Sequence, residues 1–170
     1  MPAMPVFFLW GLLGLVDFAG SNRFGRFHWF VRALWGSGLV MVLFLFVGLG
    51  ASSYSEDVAV IESEMVAASQ WADKNLPPNA VIAAHDIGAL GYFDNHELID
   101  LAGLISPEAV PFMHNEIRLE AFLDKSHADY LIAFPEFYPE LGLHREIVFD
   151  TEGRFATKFG YQNMVIYRWK

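Results

Sequence analysis

The stretch Ala33 to Ala51, "ALWGSGLVMVLFLFVGLGA", contains 19 residues and no charge. As a helix rising roughly 1.5 Å per residue it would be about 28 Å long, close to the hydrocarbon thickness of a bilayer. A transmembrane helix over 33–51 is therefore the first expectation, and it constrains everything that follows. Its flanks differ in charge: "RFGRFHWFVR" before it is basic and aromatic, and "SSYSEDV" after it is acidic. By the positive-inside rule the arginines lie in the cytoplasm and the C-terminal part lies on the extracytoplasmic side.

Composition divides at the same place. Residues 1–52 carry Arg23, Arg26 and Arg32 against Asp17, a net +2, whereas residues 53–170 carry eight bases against nineteen acids, a net −11. An overall hydrophobic content of 54% is high for a soluble protein, and a membrane part joined to an acidic water-soluble domain accounts for it. The acidic domain would repel phosphate backbones, so nucleic acid is not an expected partner. Membrane lipid is. With no cysteine in the chain, disulfides and thiolate metal sites are excluded, and the redox compartment stays open.

An earlier apolar segment, about residues 5–19, contains "VFFLWGLLGLV" and meets Asp17 at its end. It is short for a span and has no basic residue ahead of it, so a cleaved signal peptide is not the expectation. Two accounts stand: an interfacial segment, or the end of another membrane helix paired with 33–51 through "GSNRFGRF". The second makes Met1 an internal start or a boundary within a larger membrane protein.

In the C-terminal domain, Ser53 and Glu56 have capping-box spacing, and Val58, Ile61, Met65, Ala68 and Ala72 recur as one face of an amphipathic helix that "NLPPN" ends. "AVIAAHD" (80–86) and "ELIDLAG" (97–103) are apolar runs of buried-strand length, separated by room for a single helical turn. "SPEAVPFM" reads as a short helix with Ser106 as N-cap and Pro107 at its first position, and "NEIRLEAFLDKSHA" as a helix capped by Asn115. "YLIAF" (130–134) is a third strand; "REIVFD", "FATKF" and "NMVIYRW" alternate like strands with one solvated face, the last two as an antiparallel pair. The order predicts an α/β domain with a mixed sheet, parallel between Ala80 and Phe134, and no internal repeat.

The candidate ligand-binding residues are Asp86, Gly88, Gly91, Tyr92 and Asp100. In "HDIGALGYF", Asp86 ends a strand, where open α/β sheets place ligand groups, and Gly88 and Gly91 permit close backbone approach. The competing account has Asp86 capping the following turn, with the glycines supplying tight conformations. The stretch lacks the third glycine and the helix length of a dinucleotide fingerprint, and no Gly-Lys-Ser/Thr follows. If the first two strands are parallel neighbours, Asp100 emerges beside Asp86 and the pair forms an acidic cleft. His85, His96, His114, His127 and His144 include neither an HxH pair nor an HExxH helix, so no metal site is expected, nor is there a GxSxG elbow. No cofactor motif and no catalytic residue can be assigned. "FPEFYPELGLH" (134–144) could stack on a sugar, or could cover the edge of the core through Phe137 and Tyr138.

"WADKNLPPNAVIAAHDIGALGYFDNHELIDLAGLISPE" (71–108) resembles the extracytoplasmic C-terminal domain of bacterial membrane glycosyltransferases of the GT-C superfamily, the dolichyl-phosphate-mannose mannosyltransferase-like group. The resemblance rests on "lPpnavIa", "D-I-G-x-x-G-Y" and "viDl-x-GL" following a last membrane helix. It implies transfer of a sugar from a polyprenyl-phosphate donor to an extracytoplasmic acceptor. Such enzymes carry their catalytic acids in an early loop of a many-helix body; this chain has at most two membrane segments, so the fragment would not be catalytic by itself. The alternatives are a membrane-anchored accessory subunit of a larger complex and an anchored sugar-binding module.

Overall fold

A computed structural model describes residues 4–20 and 25–170; Arg23 and half of the expected hairpin loop lie outside the described residues. The chain divides into two compact units, Met1–Ser53 and Tyr54–Lys170.

The first unit holds the helix α1 (Met4–Gly20) and most of the helix α2 (His28–Val60), whose last residues belong to the second unit. Every residue from 33 to 51 is exposed and none is charged, so this part of α2 is apolar all round. Within the described residues α2 belongs to the one helical stretch long and apolar enough to cross a membrane, and α1 is an apolar helix too short for that criterion. Phe18 of α1 meets Trp35 of α2 edge to face, ring centroids 5.5 Å apart.

Ser53 is not an N-cap. It sits inside α2, because a cap needs non-helical backbone and nothing between Trp29 and Leu76 breaks the helix. The helix instead changes pitch: Ile61–Val66 forms a π-helical segment, followed by α3 (Ala67–Asn75). One extra residue per turn rotates the apolar stripe. Ala68 and Ala72 are buried as their spacing predicts, but Ile61 is 43% exposed and Glu64 fully buried.

The second unit is an α/β domain around a five-stranded mixed sheet of order β2-β1-β3-β5-β4. Its strands are β1 (Val81–Ala84), β2 (Glu97–Asp100), β3 (Tyr130–Ala133), β4 (Ile147–Asp150) and β5 (Val165–Arg168). β1 pairs parallel with β2 and β3, and β5 runs antiparallel to β3 and β4. Helix α4 (Ile87–Phe93) links β1 to β2, and α5 (Glu116–Lys125) links β2 to β3. Asn115 caps α5 as predicted, its Oδ1 accepting the Arg118 amide at 3.0 Å.

Alternation along the strands feeds two buried clusters. Ala83, Leu131 and Val165 pack with Leu119 and Leu123 of α5 on one side. Ile82, Ile132 and Ile166 pack with Ala68 and Ala72 of α3 and Leu90 of α4 on the other. Both faces of the sheet are therefore covered, which is why its central strands are apolar without interruption.

One predicted strand is a helix: "FATKF" is α6 (Arg154–Lys158). Five alternating residues fit one helical turn equally well when only Ala156 must be buried. Gly160, at φ +86° just past the turn, supplies the left-handed exit typical of a helix end.

Candidate functional site

The register brings the ends of β1, β2 and β3 to one edge of the sheet, since Ala84 pairs with both Asp100 and Ile132. His85 and Asp86 follow β1 there. His85 Nδ1 lies 2.8 Å from the Tyr138 hydroxyl, and its ring tilts against Phe137 with centroids 5.2 Å apart. Burial, reinforced by the charges of Asp86, Asp100 and Glu116, pushes the Tyr138 hydroxyl up to about 12, so Tyr138 remains a neutral hydrogen-bonding group at physiological pH.

Asp86 occupies the N-cap position of α4 with extended backbone, but its side chain accepts no capping hydrogen bond. The capping account of this residue is therefore corrected. Instead its carboxyl lines a pocket of about 400 Å³. Burial raises its pKa above the ordinary carboxylate value, and the neighbouring His85 charge partly offsets the rise.

The rest of the pocket comes from three distant segments. Asp57, Val60, Ile61 and Met65 enter from the end of α2 and the π segment. Phe134, Glu136 and Phe137 come from the connection after β3, and Tyr161 from the connection after α6. Phe134 and Phe137 meet edge to face at 5.6 Å; Phe134 is buried and Phe137 is exposed. Glu136 is held by the Gln162 amide, 3.2 Å from its Oε2. Three carboxylates can accept hydrogen bonds from a polyol while the aromatic rings cover its C–H faces.

Asp100 does not share this pocket. β1 and β2 are parallel neighbours, as the cleft required, but the Asp100 side chain is fully buried. It accepts the Ala102 amide at 2.8 Å and the Ile105 amide at 2.9 Å, clamping the loop that leaves β2. Ser106 is likewise not a side-chain cap; its Oγ accepts the Asp100 amide at 3.1 Å. The paired-aspartate cleft is thus corrected: Asp86 is joined by Asp57 and Glu136.

Gly88 and Gly91 belong to α4 rather than to a tight turn, and a Cβ on either would meet nothing within 4 Å. No turn or close backbone approach within the domain requires them. Tyr92, 82% exposed, lies one turn after Gly88 on the same helix, and none of the three lines the pocket.

Among the described residues no group of three His, Asp or Glu side chains could hold a metal ion. His96 is engaged with Asp94 and with the Pro77 carbonyl, 2.9 Å from its Nε2. Sequence reasoning missed Asp57 and Glu136, which no local motif marks. It also missed Glu64, whose isolated acidic position within an apolar helical stripe was the available signal.

No curated protein and no solved structure matches the chain. The family described as Domain of unknown function (DUF8728) matches residues 50–167, a span that includes the sheet except Arg168 at the end of β5, and every residue of the pocket. The chain belongs to that family.

Proposed function

We propose that the chain is the C-terminal membrane helix or hairpin and extracytoplasmic α/β domain of, or a truncated relative of, a GT-C-like membrane glycosyltransferase. It is not catalytic by itself, and its pocket contacts the sugar of a polyprenyl-phosphate-linked donor. The observation that carries this reading is the composition of the pocket: Asp57, Asp86 and Glu136 beside Phe137 and Tyr161, hydrogen-bond acceptors next to rings, in a domain joined by unbroken helix to an uncharged 19-residue run. The basic side of that run, with Arg26 and Arg32, faces the cytoplasm in this reading, and the acidic side, with Glu56 and Asp57, faces out.

Two measurements on the full chain test it. A periplasmic-reporter fusion after Lys170 should be active, and an inactive fusion would reverse the orientation. Calorimetric titration in nanodiscs should favour a polyprenyl-phosphate hexose over the same polyprenyl phosphate without sugar, and Asp86→Asn and Phe137→Ala should abolish the preference. Equal binding of the two lipids would end the sugar reading.

The accessory-subunit alternative is favoured by the exposed apolar side chains of α1, among them Phe7, Phe8 and Trp10, which suit packing against partner helices as well as lipid. Co-purification at fixed stoichiometry with other membrane chains would decide for it.

A further inference from the structure

The sheet edge where β1, β2 and β3 end also carries exposed apolar side chains on several separate connections. Leu104, 80% exposed, and Ile105 stand on the loop after β2; Ile117, also 80% exposed, lies in the first turn of α5. Phe137 follows β3. Phe155 lies in α6 and Tyr161 just after it; α6 follows β4, and Asp150 at the end of β4 pairs with Val165 opposite Ala133, so β4 ends at this edge too. One exposed leucine means nothing, but bulky side chains gathered on one edge from several connections mark an interaction surface.

The tips are held by a rigid frame. Asp100 fixes the loop of Leu104 and Ile105 through two amides. Glu116 Oε2 accepts the Glu140 and Leu141 amides, each at 2.8 Å, tying the first turn of α5 to the segment that follows β3. The backbone that carries these side chains is thereby anchored.

The chain itself indicates what covers them. Asp57, Val60 and Ile61 line the same pocket as Asp86, Phe137 and Tyr161, so this edge is where the polypeptide arrives from its uncharged run. Ala51 precedes Asp57 by only six positions, a distance of at most about 21 Å even in a fully extended chain. We infer that this edge rests on the membrane surface, with Leu104, Ile105, Ile117 and Phe137 at headgroup depth and the pocket facing the lipid–water interface. The inference rests on the membrane-anchored reading above. Carboxylates of Asp57, Asp86, Glu108, Glu116 and Glu136 share the edge or its loops, so the partner is a zwitterionic lipid surface, and contact is shallow.

The cysteine-free sequence permits a direct test. Single-cysteine variants Leu104→Cys, Ile117→Cys, Asn79→Cys and Leu43→Cys of the full chain would carry a spin label in phosphatidylcholine nanodiscs, with depth read from oxygen against nickel-complex accessibility. Asn79 stands at the opposite sheet edge and Leu43 in the uncharged run. Labels at Leu104 and Ile117 should show oxygen accessibility severalfold above that at Asn79 and below that at Leu43. Replacing half of the lipid with phosphatidylglycerol should reduce it. If Leu43 reports hydrocarbon while Leu104 and Ile117 match Asn79, the surface contact is overturned and the anchor stands. If Leu43 itself is open to the nickel complex, the anchored reading fails and the inference with it. Dipolar broadening between Leu104 labels of two chains would assign the edge to a second copy and overturn the lipid contact.

Discussion

Glu64 fills the space beside Gly153, where a Cβ would overlap its carboxylate. That carboxylate is fully buried and accepts hydrogen bonds from the Thr151 hydroxyl, from the Met164 amide at 2.9 Å and from Ser63 Oγ at 3.2 Å. It thereby ties the π segment to the β4–β5 end of the sheet. Gly153→Ala should destabilise the domain by about 1–3 kcal/mol, because the buried carboxylate has nowhere to move. Glu64→Ala should cost about 3 kcal/mol or more, by stranding the Met164 amide and opening a cavity. Glu64→Gln, which keeps one acceptor, should fall between wild type and Glu64→Ala. Denaturant unfolding of the full chain in detergent measures all three; a Gly153→Ala protein as stable as wild type would refute this account of the contact.

Asp100 and Asp86 should separate cleanly on substitution. Asp100→Ala leaves the Ala102 and Ile105 amides without their acceptor, a loss of about 2–6 kcal/mol at about 1–3 kcal/mol for each amide left unpaired. The same change should leave ligand affinity per folded molecule unaltered, since Asp100 does not line the pocket. Asp86→Asn should do the reverse. An Asp100→Ala protein that folds normally but binds more weakly would return Asp100 to the site.

The pH dependence of Asp86 has a definite sign. Burial raises its folded-state pKa above the ordinary 3.8, so between these two values the folded state binds more protons than the unfolded state. Stability then falls as pH rises through that window, and the loss is complete above the raised value. Asp86→Asn removes the effect: its melting temperature should exceed that of wild type at neutral pH, and the gap should close below about pH 3.8. A gap that widens on acidification would mean that the carboxylate is stabilised by a partner rather than strained by burial.

The parallel strands were legible because burial on both faces demands uninterrupted apolar runs, and "VIAA" and "YLIA" satisfy that with no other use for their residues. Asn115 was legible because an N-cap is a local device. Ser53 and Glu56 carry the same local signal, yet a helix already under way passes through them, so a cap motif is informative only where something interrupts the chain before it. "FATKF" failed for shortness: five residues cannot distinguish a period of two from a single turn. Of the site, Asp86 was visible as the polar residue at a strand end. Asp57 and Glu136 were not, because only the register of β1 against β3 and the phase of the helix bring them to Asp86, and neither leaves a spacing in the sequence.

That helical phase is itself testable. A π turn amounts to an α-helix with one residue inserted, and exposed Glu62 is the position whose removal disturbs least. Deleting Glu62 should restore α-helical pitch while Glu64 and α3, which lie after the deletion, keep their contacts: Glu64 with Thr151 and Met164, and Trp71 of α3 stacked on Phe149. Everything before the deletion, including Asp57 and Val60, would turn by about 100°, one residue of a helix with 3.6 per turn. Asp57 would then leave the pocket. The deletion should abolish binding of a polyprenyl-phosphate sugar while stability falls by no more than about 1 kcal/mol, within the usual range for a change away from the core. A second variant, Asp57→Asn, should weaken binding without altering the helix, which separates loss of the carboxylate from loss of the fold. If the deletion binds as wild type does, the π segment has no part in shaping the pocket and serves only to bury Glu64.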